Sequence, residues 1–132
     1  MKWQRRFLVV LTATLCTSAV AADPSRGETL YVSRCGACHS IDDNGAGPKH
    51  RGLFGRKSGT QEGFDYSEAL KGAKLTWDEA TVARWLENPN ALVPGNKMVV
   101  QLANQPQDRE DLIAYLKKAT AIPPAPGKPS KR

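Results

Sequence analysis

Cys35, Cys38 and His39 stand in the run Cys35-Gly36-Ala37-Cys38-His39, and that spacing carries chemistry. C-x-x-C-H is the attachment sequence for c-type haem. Two thiols add across the two vinyl groups of the porphyrin, and the imidazole that follows takes the iron. On one helical turn, residues three and four apart share a face, so all three side chains can address one flat ligand. A bare C-x-x-C also reads as a redox dithiol, half of a zinc site or a structural disulfide. A thioredoxin-type site wants strand–helix alternation, and the chain shows none. A four-ligand zinc site needs two more Cys or His, and only Cys16 and His50 remain.

An iron bound by His39 leaves its other face to water, an exogenous ligand or a second side chain. Strong candidates are His50, Met98 and the lysines; Met1 leaves with the segment described next. Met98 lies 59 residues beyond His39, in Pro94-Gly95-Asn96-Lys97-Met98, ahead of the apolar Val99-Val100. A lone loop Met is usually a packing residue, but a motif that already demands a metal favours ligation. A thioether prefers the softer Fe(II), so His/Met ligation raises the potential and suits electron transfer.

The first residues say where this chemistry takes place. Lys2, Arg5 and Arg6 precede an uncharged stretch from Phe7 to Ala22, with Ala19-Val20-Ala21 as a small-x-small cleavage pattern. That is a secretory signal over residues 1–21. The stretch is interrupted by Thr12, Thr14, Thr17 and Ser18 and falls short of the roughly 20 apolar residues of a membrane span. An uncleaved anchor is the alternative. Since c-type haem is attached outside an energy-transducing membrane, export and motif agree on a bacterial periplasmic location. Removing residues 1–21 leaves 111 residues, one domain, and lowers the formal charge from +6 to +3. This balance gives no case for nucleic acid and a weak one for acidic partners.

The elements that must position the site are helical, so the expected fold class is all-α. Asp23-Pro24 reads as an N-cap with Pro at the first helical position, opening a helix through about Arg34. A short helix is expected over Phe64–Gly72. Thr76-Trp77-Asp78-Glu79 has a capping-box pattern for a helix to about Glu87, stopped by Asn88-Pro89. A last helix spans about Pro106–Ala121, with Leu112, Ile113, Tyr115, Leu116 and Ala119 on its apolar face. Loops at 42–61 and 88–105 are long for a small domain, but a haem supplies the apolar bulk that the short chain lacks. The domain is expected over 22–121, and residues 122–132, rich in Pro and Lys, read as an extended disordered tail.

Taken in order along the chain, these segments resemble a class I cytochrome c, of the small type that includes bacterial cytochrome c2. The matching series runs through Cys35–His39, Gly47-Pro48, Gly52-Leu53-Phe54-Gly55-Arg56-Lys57, Gly63-Phe64-Asp65-Tyr66-Ser67, Trp77, Leu86-Glu87-Asn88-Pro89, Pro94–Met98 and Arg109–Leu116. It covers about Gly27 to Ala121. The resemblance implies the cytochrome c fold, with three main helices and one short helix around one haem c bound through Cys35 and Cys38. It implies His39 and Met98 as axial ligands and the Pro48 carbonyl as acceptor for the free ring N–H of His39. Arg56, Tyr66 and Trp77 would donate toward a buried haem propionate, and Asn96, where the family often has Thr, could serve the same group. Gly27 would let the first helix cross closely over the last, near Tyr31, Leu112 and Leu116.

Three positions depart from the family pattern. Trp85 stands where many members carry a Tyr whose hydroxyl meets the Met sulfur; an indole has one donor and no acceptor, so that network must differ. Val100 replaces a Phe that often covers the haem edge, and His50 takes a usually apolar place, as a packed or surface residue. The implied function is a soluble one-electron carrier, not an enzyme. It would work as a monomer between redox proteins such as a dehydrogenase, a bc1-type complex or a terminal oxidase. Lys49, Arg51, Lys57, Lys74 and Lys97 are the residues that could steer acidic partners. The alternatives are a haem subunit fixed in a dehydrogenase or oxidase complex, and a low-level haem peroxidase if Met98 does not bind.

Overall fold

Asp23 opens the first helix of the protein: its carboxylate accepts hydrogen bonds from the Ser25 N–H at 2.9 Å and the Arg26 N–H at 3.3 Å. The computed structural model describes residues 20–123. The export signal expected at 1–21 and the tail expected at 122–132 fall almost wholly outside them. Helix α1, Pro24–Leu30, runs directly into a π-helical turn, Tyr31–Cys35, that delivers the first cysteine. Then come α2, Glu68–Gly72; α3, Glu79–Glu87; α4, Pro89–Leu92; and α5, Pro106–Ala119. Among the described residues the only extended pairing is a single antiparallel bridge between Lys57 and Thr76. None of their helices is long and apolar enough to cross a membrane.

The all-α expectation agrees with this architecture, while several boundaries differ from it for local reasons. Helix α2 starts at Glu68 and not near Phe64, because Ser67 is the cap and accepts from the Leu70 N–H at 3.2 Å. Helix α3 is capped by Asp78, whose carboxylate accepts from the Thr81 N–H at 2.7 Å; the expected Thr76–Glu79 capping box does not form, and Glu79 pairs with Lys117 instead. Asn88-Pro89 does end α3. The same Asn88 side chain then accepts from the Ala91 N–H and starts α4, a second short helix that the sequence reading did not include. Helix α5 stops at Ala119, two residues short of the expected end, with Thr120 as its C-cap.

Helices α1 and α5 cross at Gly27. A Cβ there would lie 2.0 Å from the Asp111 carbonyl oxygen and 2.8 Å from the Tyr115 Cβ, so only hydrogen fits. The crossing is therefore at Asp111 and Tyr115, each one residue before the Leu112 and Leu116 positions expected. A polar clasp lies beside it. The Asp111 side chain, 1% exposed, accepts from the Arg26 guanidinium, the Asp23 N–H at 2.7 Å and the Gln107 amide at 2.9 Å. Burial alone would raise the Asp111 carboxyl, but these donors outweigh it and hold the group below its ordinary range. Leu102, Leu112 and Leu116 fill the space beneath the crossing together with Val82 and Leu86 of α3. Both long loops close over this core by backbone bonds, Gly55 N–H to Trp77 O at 2.8 Å and Leu102 N–H to Leu86 O at 2.7 Å.

Candidate functional site

A cavity of about 1240 Å³, counted out to its open mouth, lies between the π-helical turn, the 46–56 loop, α3 and the 96–100 loop. Its walls carry Cys35, Cys38 and His39 from one end of the sequence and Met98 from the other, with Leu53, Leu86 and Leu112 between. Cys35 is buried, Cys38 is exposed, and both are free thiols. Burial pushes the Cys35 thiol up to about 11, with Cys38 adding to the effect. A redox dithiol needs a depressed thiol pKa, so this environment opposes that reading. The described residues hold no cluster of three or more His, Cys, Asp or Glu able to bind a metal, which leaves the zinc reading without a ligand set.

His39 is held in orientation by the chain itself. Its Nδ1 lies 2.8 Å from the Pro48 carbonyl oxygen, so Nδ1 carries the proton and Nε2 is left with a lone pair. Loss of water lowers the His39 pKa and the Pro48 bond partly restores it; the net effect is a neutral imidazole. Gly47 lies flat against the ring. A Cβ at Gly47 would sit 2.3 to 2.7 Å from three His39 ring atoms.

Met98 is held by two side chains that reach it from different directions. The Asn96 carboxamide accepts from the Met98 N–H at 2.7 Å and donates to the Val93 carbonyl at 2.8 Å, which shapes the loop. Trp85 on α3 donates its indole N–H to the Met98 sulfur at 3.0 Å. A thioether sulfur has two lone pairs, so one remains for a metal. The Trp85 substitution thus keeps a donor on the sulfur and differs in having nothing to accept in return. Asn96 lines the cavity, but its carboxamide is engaged chiefly by the backbone.

Arg56 is the least expected feature in this wall. Its two terminal nitrogens donate to the Arg51 carbonyl at 3.1 Å, the Gln61 side chain at 2.6 Å and the Lys49 carbonyl at 3.1 Å. Its Nε is buried with no partner among the described residues. Among the described residues no carboxylate pairs with it, and desolvation lowers its pKa. A buried guanidinium with an open donor calls for an anion. Tyr66 and Trp77, both buried, line the same cavity, and desolvation also raises the Tyr66 hydroxyl. Apolar walls, two thiols, a preset imidazole, a thioether and an unanswered cation fit a flat, covalently attached, acid-bearing metal macrocycle.

Sequence reasoning missed four contacts here. His50 stacks on His39, with ring centroids 4.3 Å apart and planes 18° from parallel, and Tyr31 hydrogen-bonds His50 Nδ1 at 3.1 Å. The position of His50 against His39 sets it on the cysteine side of the cavity, away from the face that Met98 serves. Arg51 and Lys57, offered as steering charges, are engaged locally: Arg51 pairs with Asp42 at 2.8 Å and Lys57 donates to Thr76 at 2.6 Å. Lys97 is exposed at the cavity mouth beside Val99, which is 86% exposed.

Comparisons with known proteins converge on one family. A family model described as Cytochrome c matches residues 24–120. A protein described as cytochrome c from Chlamydomonas reinhardtii is 49% identical over 106 residues, 78% of this chain and 95% of that protein. One described as cytochrome c2 from Rhodomicrobium vannielii is 44% identical over 115 residues, 83% of this chain and 91% of its own length. Among solved structures, one described as cytochrome cH from Methylobacterium extorquens superposes with a TM-score of 0.69 at 42% identity, covering 74% of this chain and 99% of that one.

Proposed function

This chain belongs to the cytochrome c family and carries electrons through covalently attached haem c; on that premise we propose that His39 and Met98 are the axial ligands and that Cys35 and Cys38 hold the ring. When bound, haem c supplies a one-electron couple between Fe(II) and Fe(III). Everything else is done by the chain. Pro48 keeps His39 in the tautomer that presents Nε2 to a metal. Asn96 and Trp85 hold the Met98 loop and sulfur in place, so ligand positions change little between oxidation states. With His39 and Met98 both holding the metal, no substrate would reach it, and the protein would act as a carrier and not as an enzyme. Arg56, Tyr66 and Trp77 are the donors for a buried propionate, with the open Arg56 Nε as its anchor and Asn96 as a secondary donor.

Two thiols, His39 and Met98 lining one cavity is the observation that carries the reading. The purified holoprotein should show a low-spin spectrum with the weak Met–Fe(III) charge-transfer band. A high-spin ferric spectrum contradicts it. The propionate role has its own test. Arg56→Gln removes a buried positive charge near the metal, so it should favour the oxidised state. The expected size is about 1 kcal/mol, roughly a fivefold rise in the oxidised-to-reduced ratio at fixed applied potential. An unchanged redox titration argues against an anion at Arg56.

Location and partners follow from charge and leader. The proposed site of action is the bacterial periplasm, reached through the signal over residues 1–21, with the mature chain a monomer. Its redox partners would be a dehydrogenase, a bc1-type complex or a terminal oxidase with an acidic docking surface. Lys97 and Val99 at the cavity mouth support brief contacts there, combining steering charge with a small apolar patch. Elution of the native protein in a stable large complex on gel filtration would favour a fixed subunit over a shuttle.

A further inference from the structure

We propose that Tyr31 and His50 form a positioning pair that sets the plane of the His39 ring. The inference rests on His39 as a haem ligand and extends that reading to two residues that are not ligands, His50 in the cavity wall and Tyr31 behind it. Three constraints act on the His39 imidazole. The Pro48 carbonyl holds Nδ1 at 2.8 Å and fixes the tautomer. The Gly47 backbone lies so close that a Cβ there would fall 2.3 Å from Cε1. A single hydrogen bond still permits the ring to rock about the N···O line, and the stacked His50 ring at 4.3 Å and 18° restrains that motion.

His50 can act so only if its own ring is fixed. Tyr31, on the π-helical turn and 5% exposed, meets His50 Nδ1 at 3.1 Å, and the two rings also touch edge to face with centroids 5.7 Å apart. Desolvation drives the Tyr31 hydroxyl upward, so it keeps the proton that it donates. With the Tyr31 hydroxyl donating, His50 Nδ1 is the acceptor, and this bond ties the ring to the π-helical turn. Tyr115 of α5 packs on the other side of Tyr31, with centroids 5.4 Å apart. A chain of rings therefore links the α1–α5 crossing to the face of His39.

An apolar filler would occupy this space without fixing a ring plane. The orientation of an axial imidazole is read in the oxidised holoprotein from the order and spread of the paramagnetically shifted haem methyl resonances. His50→Leu keeps the bulk and removes the flat ring; it should change the methyl order. Tyr31→Phe removes one oxygen and frees His50 Nδ1; it should move the same resonances in the same sense by a smaller amount. Should the leucine variant not fold, His50→Gln, which still accepts from Tyr31 but has no ring, should follow the leucine expectation. Methyl resonances of wild-type order and spread in the His50 variant overturn the proposal, and so does a Tyr31→Phe protein indistinguishable from wild type. The charge-transfer band of the unmodified protein, recorded on the same sample, reports separately whether the His39/Met98 ligation reading fails.

Discussion

Replacing Met98 by Ala should turn the ferric protein from low-spin to high-spin and lower its reduction potential on the order of 0.2 V, within the roughly 0.8 V that axial ligation commands. At 59 mV per decade for one electron, that is about three decades in the oxidised-to-reduced ratio. The direction follows from the ligand. A thioether is soft and favours Fe(II), so its loss favours Fe(III). The size depends on whether another side chain takes the vacated position. His50, the only other histidine, stacks on His39 and so lies on the wrong side of the cavity to do so. Trp85 offers an N–H with no lone pair to give. The opened position should then admit water and raise peroxide reduction measurably above that of the unmodified protein. Ferric absorption spectra, redox titration and a peroxide-reduction assay check the three. An unchanged low-spin spectrum in the variant removes Met98 from the ligand set.

Gly27→Ala should destabilise the holoprotein by about 3 kcal/mol or more, although helix propensity alone favours Ala over Gly by about 1 kcal/mol. Packing decides the sign. The added Cβ meets the Asp111 carbonyl carbon and oxygen at 2.6 and 2.0 Å, and both are helix backbone that no rotamer change can move aside. Helix α1 must lift from α5, and the clasp between Arg26, the Asp23 N–H and the buried Asp111 goes with it. A buried carboxylate that loses its donors adds to the loss. For a domain of this size the melting midpoint should fall on the order of 15 °C. Thermal and denaturant unfolding of haem-loaded protein measure it. Stability equal to or above that of the unmodified protein contradicts the close crossing.

The two variants touch opposite ends of what could be read in advance. Met98 was reachable from residue types and spacing, because a haem motif demands a second ligand and few side chains could provide it. Gly27 is legible as a crossing point only through the family resemblance, and its partners lie one residue from those expected, at Asp111 and Tyr115. Asp111 itself carries no local signal. It looks like any acidic residue near a helix start, and only the fold brings Arg26, the Asp23 N–H and Gln107 to it across as many as 88 positions. The helix boundaries show a smaller version of the same limit. Several residues in each stretch can cap, and the chain path decides that Ser67 and Asp78 do.

By itself the sequence determined the cofactor chemistry and the helical class, because both rest on short-range order. Cys35, Cys38 and His39 occupy one turn, and caps, Pro and apolar periodicity act within a few residues. Tertiary structure alone decided how the cavity is tuned. Trp85 on the Met98 sulfur, His50 against His39 and the unpaired Nε of Arg56 join or expose groups from loops and helices far apart in the chain. Such contacts depend on where the backbone travels between them and on which water is excluded, and residue spacing does not encode either quantity.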